Sequence, residues 1–304
     1  MREISSMTNN RVQFGIAPIN WSNDDMHELG GSYTLQTILS EMSQAGYSGT
    51  EIGNKFPKEA VQIKEALKKF DLELASSWHS TFFLSNDLDL DLELENIKKK
   101  VVLLRDAGAK VINIAECSGS VHSELNSPLS NKLICNDQDW DRLTSSLNKA
   151  GELCNSFGLD LAYHHHMGTY IQTEDEINRL LSDTLPDLVN LCADTGHLYF
   201  AGINPIEFFK KNMNRIKHIH FKDIRHDVFK DIKFETDSFL KSVLRGAFTV
   251  PGDGCIDFSE ISKIIIKSNY TGWVIIEAEQ DPEIADPLEY AMRSRNYLKS
   301  IWDN

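Results

Sequence analysis

Eight short β-type runs, alternating with segments of helical periodicity, predict a single-domain α/β protein with the (β/α)₈ TIM-barrel fold over residues 1–304. Alternation implies a parallel sheet, because parallel neighbours need a crossover segment between them. The first run ends in APINWSNDD, without the glycine-rich phosphate turn that usually opens a doubly wound sheet. No low-complexity linker divides the chain, and 304 residues fit one barrel with elaborated loops.

The first strand is read at QFGIAPI (13–19), and LQTILSEMSQAG (35–46) follows with apolar residues three and four apart and Gly46 as its stop. GTEIG (49–53) and ELASSW (73–78) are the second and third strands, separated by the helical segment KEAVQIKEALKKFD (58–71). LENIKKKVVLLRDAG (94–108) ends at Gly108 and leads into the fourth strand, KVINIAE (110–116). WDRLTSSLNKAGELCNSFG (140–158) ends at Gly158 before the fifth, DLAYHH (160–165). TEDEINRLLS (173–182) opens with Thr173 and Glu176 in capping-box spacing, then VNLCAD (189–194) is the sixth strand. PIEFFKKN (205–212) precedes the seventh, KHIHFKD (217–223). Residues 224–255 read as an elaborated loop over the active site with a short helix near 235–244, and FSEISKIIIKSN (258–269) leads to the eighth strand, GWVIIEAE (272–279).

The formal net charge of −14 opposes nucleic acid and anionic membranes as partners, since both require a basic face. The N-terminal segment MREISSMTNNRVQFG has no apolar leader core and no stretch approaches a membrane span, so a cytoplasmic location is expected. Five widely spaced cysteines without a C-x-x-C pair suggest neither a zinc ribbon nor a disulfide framework.

Barrel enzymes gather their chemistry at the C-terminal ends of the strands. Those ends carry Glu51 with Asn54 and Lys55, Trp78 and His79, Glu116, the run His164-His165-His166, Asp194 with His197, His220 with Lys222 and Asp223, and Glu277 with Glu279. A single glutamate, lysine or histidine in such a place is ordinarily solvated, ion-paired or hydrogen-bonded in the core. A whole set converging on one mouth requires a compensating cation or substrate. Strand alternation lets His164 and His166 share a face and sends His165 to the other, under a helix. Imidazole and carboxylate from strands five to eight make a mixed N/O site suited to Mn²⁺, Co²⁺, Fe²⁺ or Zn²⁺.

The segments FGIAPINWSNDDMHELGG (14–31), GTEIGNKFP (49–57), YHHHMGT (163–169), DTGH (194–197), HIHFKD (218–223), PGDGCIDF (251–258) and GWVIIEAEQDP (272–282) resemble the inosose dehydratase (2-keto-myo-inositol dehydratase) family of the xylose-isomerase-like sugar isomerase/epimerase barrels. The resemblance covers essentially the whole chain. It implies metal ligation by Asp194, His220 and Glu277, with His164 nearest the strand-five place that the superfamily gives to glutamate and His166 as the alternative. It also implies Mn²⁺ or Co²⁺ and loss of water from the cyclic polyhydroxy ketone scyllo-inosose. Elimination then needs a base, for which Glu116 or His166 are candidates, and an acid, for which His197, Lys222 or Glu279 are. Trp21, Glu51, Asn54, Lys55, Trp78 and His79 are the expected ring-binding shell. Glutathione is a candidate co-reagent and a homo-oligomer a candidate assembly. The alternative reading is a metal-dependent isomerase or epimerase on the same barrel; a DNA endonuclease is opposed by the acidic charge.

Overall fold

The structure is a computed structural model and describes residues 12–302; residues 1–11, on which most of the leader reading rests, lie outside it. Eight parallel strands close a barrel: β1 (Val12–Ile16), β2 (Gly49–Ile52), β3 (Glu73–Thr81), β4 (Val111–Glu116), β5 (Asp160–His164), β6 (Val189–Asp194), β7 (Ile216–Phe221) and β10 (Gly272–Ile276). Two-residue strands β8 (Asp223–Ile224) and β9 (Phe248–Thr249) pair antiparallel outside it. Around the barrel the order is β1-β10-β7-β6-β5-β4-β3-β2, so chain neighbours are spatial neighbours.

Helices α1 (Leu35–Gln44), α2 (Ala60–Lys68), α3 (Leu90–Ala107), α4 (Asp137–Ser156), α5 (Glu174–Asp183), α6 (Thr195–Phe200) and α7 (Pro205–Asn212) follow the strands; α8 (His226–Phe229), α9 (Phe239–Leu244), α10 (Phe258–Lys267) and α11 (Pro287–Trp302) complete the set. The expected capping box of α5 is formed by Thr173 and Glu176. The C-terminal helix α11 was not read from the sequence; it packs on α1 and α10, and Ser294 bonds the Tyr47 hydroxyl at 2.6 Å. Among the described residues no helix is long and apolar enough to cross a membrane.

The outward strand residues join the helices in one apolar layer. Inside, Ala17, Ala75, Trp273 and Ile275 plug the lower barrel. Trp273 fits there because Gly49 lacks a side chain: a Cβ at that position would stand 2.3 Å from the indole. Above the plug the interior turns polar, and this is the layer that builds the site. The 224–255 segment holds the short helix expected near 235–244, as α9, together with α8 and the β8–β9 pairing, and its rings pack behind the site, with Phe239 4.8 Å from His166 and Phe248 6.0 Å from His197. No residue of 224–255 lines the cavity, which lies beyond those histidines.

Candidate metal centre

Alternation on β5, β6 and β7 turns His164, Asp194 and His220 inward at one level, and Glu277 follows β10 directly. Four ligand-type atoms meet there. His220 Nδ1 lies 2.8 Å from Glu277 Oε2, 3.2 Å from His164 Nε2 and 3.7 Å from Asp194 Oδ2, and His164 Nε2 lies 3.7 Å from that same oxygen. Bonds of about 2.1 Å to one ion would set ligand–ligand separations of about 3 to 3.5 Å, so the set is close to what a divalent transition ion requires. Asp194 Oδ2 is fully buried and accepts no hydrogen bond from the protein, which also fits a ligand role.

The histidine run divides as alternation requires. His164 joins the four-way convergence. His165 faces out, 6.1 Å from Phe208 of α7, and its Nε2 accepts from the Asp194 backbone N–H at 3.3 Å. His166 sits beside the centre, its ring centroid 3.9 Å from that of His197 with the planes tilted by 44°, and its Nδ1 bonded to the Met167 carbonyl. Burial holds His164 down at about 3, and the His220 charge adds to this, so its ring is neutral and able to ligate.

Behind the centre, Glu51 Oε1 meets His218 Nε2 at 2.7 Å, Asn113 Nδ2 at 2.9 Å and His220 Nε2 at 3.2 Å. A carboxylate only accepts, so Glu51 holds a proton on His220 Nε2; burial opposes a second proton, but Cys192, Glu277 and Glu51 hold the His220 pKa well above the usual range, so Nδ1 is the position that gives up its proton to ligate an ion. Burial raises the Glu51 pKa, but the His220 charge and the bonds from His218 and His220 outweigh it and hold the group at about 2.

Lys222 is fully buried, and its Nζ lies 2.7 Å from Glu277 Oε1, 2.7 Å from Glu279 Oε1, 3.1 Å from His197 Nε2 and 3.5 Å from Asp194 Oδ2. Burial opposes its charge, yet Asp194, Glu277 and Glu279 together hold its pKa well above the usual lysine range. Its stem passes so close to the α6 N-terminus that a Cβ on Gly196 would stand 2.6 Å from Lys222 Cγ. Glu279 is pushed up to about 7 by burial, against the pull of Lys222 and with the push of Glu277.

Several expected site residues have other employment. Glu116 follows the outward parity of β4 and does not line the cavity. Its carboxylate accepts from the N–H groups of Phe83, Leu84 and Ser118 and from the Thr81 hydroxyl, so it fixes two loops and has no free oxygen for a base. Trp21 is buried in the helical layer and donates to Glu41 at 2.6 Å. Asn54 bonds Ser22 and the Asn23 carbonyl, and Lys55 bonds the Gly31 carbonyl; both hold the first loop in shape. His79 lies on the outer parity of β3, near Lys100 of α3. Trp78 does line the cavity, as do Glu51, His166 and Glu279; His197 and Lys222 stand just behind its wall.

Comparison with known proteins adds an independent line. The profile of the xylose isomerase-like TIM barrel matches residues 39–301. An inosose dehydratase of Clostridium beijerinckii is 48% identical over 290 residues, covering 95% of this chain and 97% of that protein. One from Bacillus cereus is 45% identical over 291 residues, covering 95% and 97%. The chain belongs to the inosose dehydratase family of xylose isomerase-like TIM barrels. Its fold also matches a crystal structure of the IOLI protein with a bound zinc atom, with TM-score 0.70, 15% identity and coverage of 96% and 98%, and L-ribulose 3-epimerase, with TM-score 0.70, 14% identity and coverage of 96% and 95%.

For this member of the inosose dehydratase family the cavity, of about 270 Å³, is of the size that takes one small ring. Asp24, Asp25, Asn113 and His122 line it and were missed in the sequence. Asp24 and Asp25 sit in the WSNDD segment just after β1, beyond the strand ends where ligand-type residues are sought. Asn113 is placed by parity, two residues before Ala115 on β4, and inward polarity in a strand was the signal available for it. His122 comes from the β4–α4 loop, held by a 2.7 Å bond between Ser120 Oγ and Nδ1, and nothing in the sequence singled it out.

Proposed function

We propose that the chain is a hydro-lyase that removes water from scyllo-inosose (2-keto-myo-inositol) to give a trihydroxycyclohexane-1,2-dione in inositol catabolism. The observation that carries the reading is near-half identity over almost full length to inosose dehydratases, joined to the Asp194–His220–Glu277 cluster, with His164 against Asp194 and His220, beside a ring-sized cavity. His164, Asp194, His220 and Glu277 would hold the divalent ion, for which Mn²⁺ or Co²⁺ is the expected occupant. When bound, the ion supplies Lewis acidity that makes a ketone α-hydrogen removable at neutral pH.

The chain's own residues supply the proton transfers. His166 has a neutral ring: burial and the neighbouring His122 and His164 hold its pKa well below the usual range, and its Nδ1 is committed to Met167, so Nε2 serves as base. Glu279, poised at about 7, donates the proton that leaves with the β-hydroxyl. Ligand-type atoms of His166, His197 and Glu279 lie within 4.8 Å of one another, so base and acid act on one face of the ring. In scyllo-inosose every hydroxyl is equatorial, and an α-hydrogen and the adjacent β-hydroxyl therefore share a face. Base and acid on one side suit the loss of water from that ring.

Metal-reconstituted protein incubated with scyllo-inosose in deuterated water tests this. Wild type is expected to develop the ultraviolet absorbance of the conjugated dione. Glu279→Gln should incorporate solvent deuterium at the α-carbon without forming dione, and His166→Gln should stop both. A positional isomer of inosose as sole product would replace the dehydratase reading with an isomerase on the same centre. Glutathione as a co-reagent is tested by the same assay with and without it.

A further inference from the structure

We propose that Asn113 Oδ1 is the acceptor for one hydroxyl of the cyclic substrate, and so reads that hydroxyl as a hydrogen-bond donor. The inference rests on the proposed reaction and extends it to a residue to which no role has been given. Asn113 is 1% exposed, stands on the inner wall of β4 as the register partner of Trp78, and lines the cavity.

The direction of its amide is fixed by its neighbour. Nδ2 lies 2.9 Å from Glu51 Oε1, and the same oxygen receives His218 and His220. A carboxylate cannot donate, so the NH₂ end must face it and the carbonyl end must face away. No protein group bonds that Oδ1. A buried amide oxygen held in one direction is costly to leave unmatched, and an acceptor can be matched only by a donor. A polyhydroxylated ring offers donors and a carbonyl; of these, only a hydroxyl can fill the position. Asn113 is therefore a positioning residue: its donor side steadies the Glu51–His220 pair, and its acceptor side orients the ring beside Trp78.

The test is a chemical double-mutant cycle on the metal-loaded full chain, using scyllo-inosose and a panel of singly deoxygenated inososes. Asn113→Ala is expected to lower kcat/KM for the parent ketone by about 10- to 100-fold while retaining metal, because His218 and His220 still hold Glu51. One deoxy compound should react poorly with wild type and show no further loss with the variant. Loss of the same factor on every member of the panel would overturn the acceptor role and leave Asn113 acting only through Glu51. Asn113→Ser replaces the alanine variant if the latter does not fold. Absence of dione from wild type would refute the proposed reaction instead; the acceptor role is then judged by calorimetric binding of the same panel, where equal Kd values for wild type and variant refute it.

Discussion

Lys222→Met removes a buried ammonium from among Asp194, Glu277 and Glu279, which face it at 3.5, 2.7 and 2.7 Å. Methionine keeps an unbranched stem of similar length beside Gly196, so packing changes little. Breaking one side of a buried ion pair costs about 3 to 5 kcal/mol, and with three acidic partners the metal-free protein should lie near the upper end. A bound divalent ion shares Asp194 and Glu277 and leaves Glu279 free to take a proton, which should reduce the loss to about 2 to 3 kcal/mol. By linkage, a destabilisation larger by about 2 kcal/mol in the metal-free state means about 30-fold tighter metal binding by the variant. At about 2 to 4 °C per kcal/mol, Tm should fall by about 10 °C or more without metal and clearly less with it. Thermal melts with and without Mn²⁺, together with competitive metal titration, read both quantities. Unchanged or weaker metal affinity in the variant would refute the view that Lys222 compensates the same carboxylates as the ion.

Ala substitution of His164, Asp194, His220 or Glu277 is expected to abolish or sharply reduce bound metal in elemental analysis, whereas His165→Ala keeps the metal and loses about 2 to 3 kcal/mol of stability from its packed ring; equal metal loss at positions 164 and 165 would contradict the alternation argument. Glu116→Ala strands the Phe83, Leu84 and Ser118 N–H groups and should cost about 3 kcal/mol or more while leaving the kcat of folded protein unchanged; a selective loss of kcat would return Glu116 to the chemistry. Burial holds His79 and His122 down at about 4, so both are neutral in the fold, while the unfolded chain takes up protons below about 6.5. Their contribution is present above that pH and is lost as pH falls through 4, by about 2 kcal/mol each once partial exposure is allowed for. Urea unfolding from pH 7 to 4 should therefore be less pH-dependent in the His79→Asn, His122→Asn double variant than in wild type.

The barrel was legible because its strands alternate with helices whose apolar faces repeat at spacings of three and four. The convergence of His164, Asp194 and His220 was also legible, because parity within a strand needs only one anchored residue: placing His164 inward on β5 sends His165 out. What failed was the assumption that a polar residue at a strand end faces the mouth. Glu116 ends β4 on the outer parity that Asn113 would have revealed, and His79 follows Trp78 onto the outside of β3. Loop residues were harder still. Trp21, Asn54 and Lys55 are polar or aromatic and near the rim, but Trp21 satisfies a partner in the helical layer, and Asn54 and Lys55 reach across to carbonyls of the loop after β1. His122 reaches the cavity only through the path of a long connection that no periodicity describes. The Lys222 cage was half visible: the lysine was identified as a candidate, but its three acidic partners come from β6 and the end of β10, brought together only by barrel closure.

The most direct test of the account is a metal titration of activity. Chelator-stripped protein is assayed anaerobically on scyllo-inosose, and dione absorbance is followed as Mn²⁺ or Co²⁺ is added in known amounts. The account predicts no dione without metal, a rate that rises with added ion and saturates at one ion per chain, and no recovery in Asp194→Ala at the same concentrations. Full dione formation by stripped protein, or saturation of the His164–Asp194–His220–Glu277 centre with no dione at all, would contradict it.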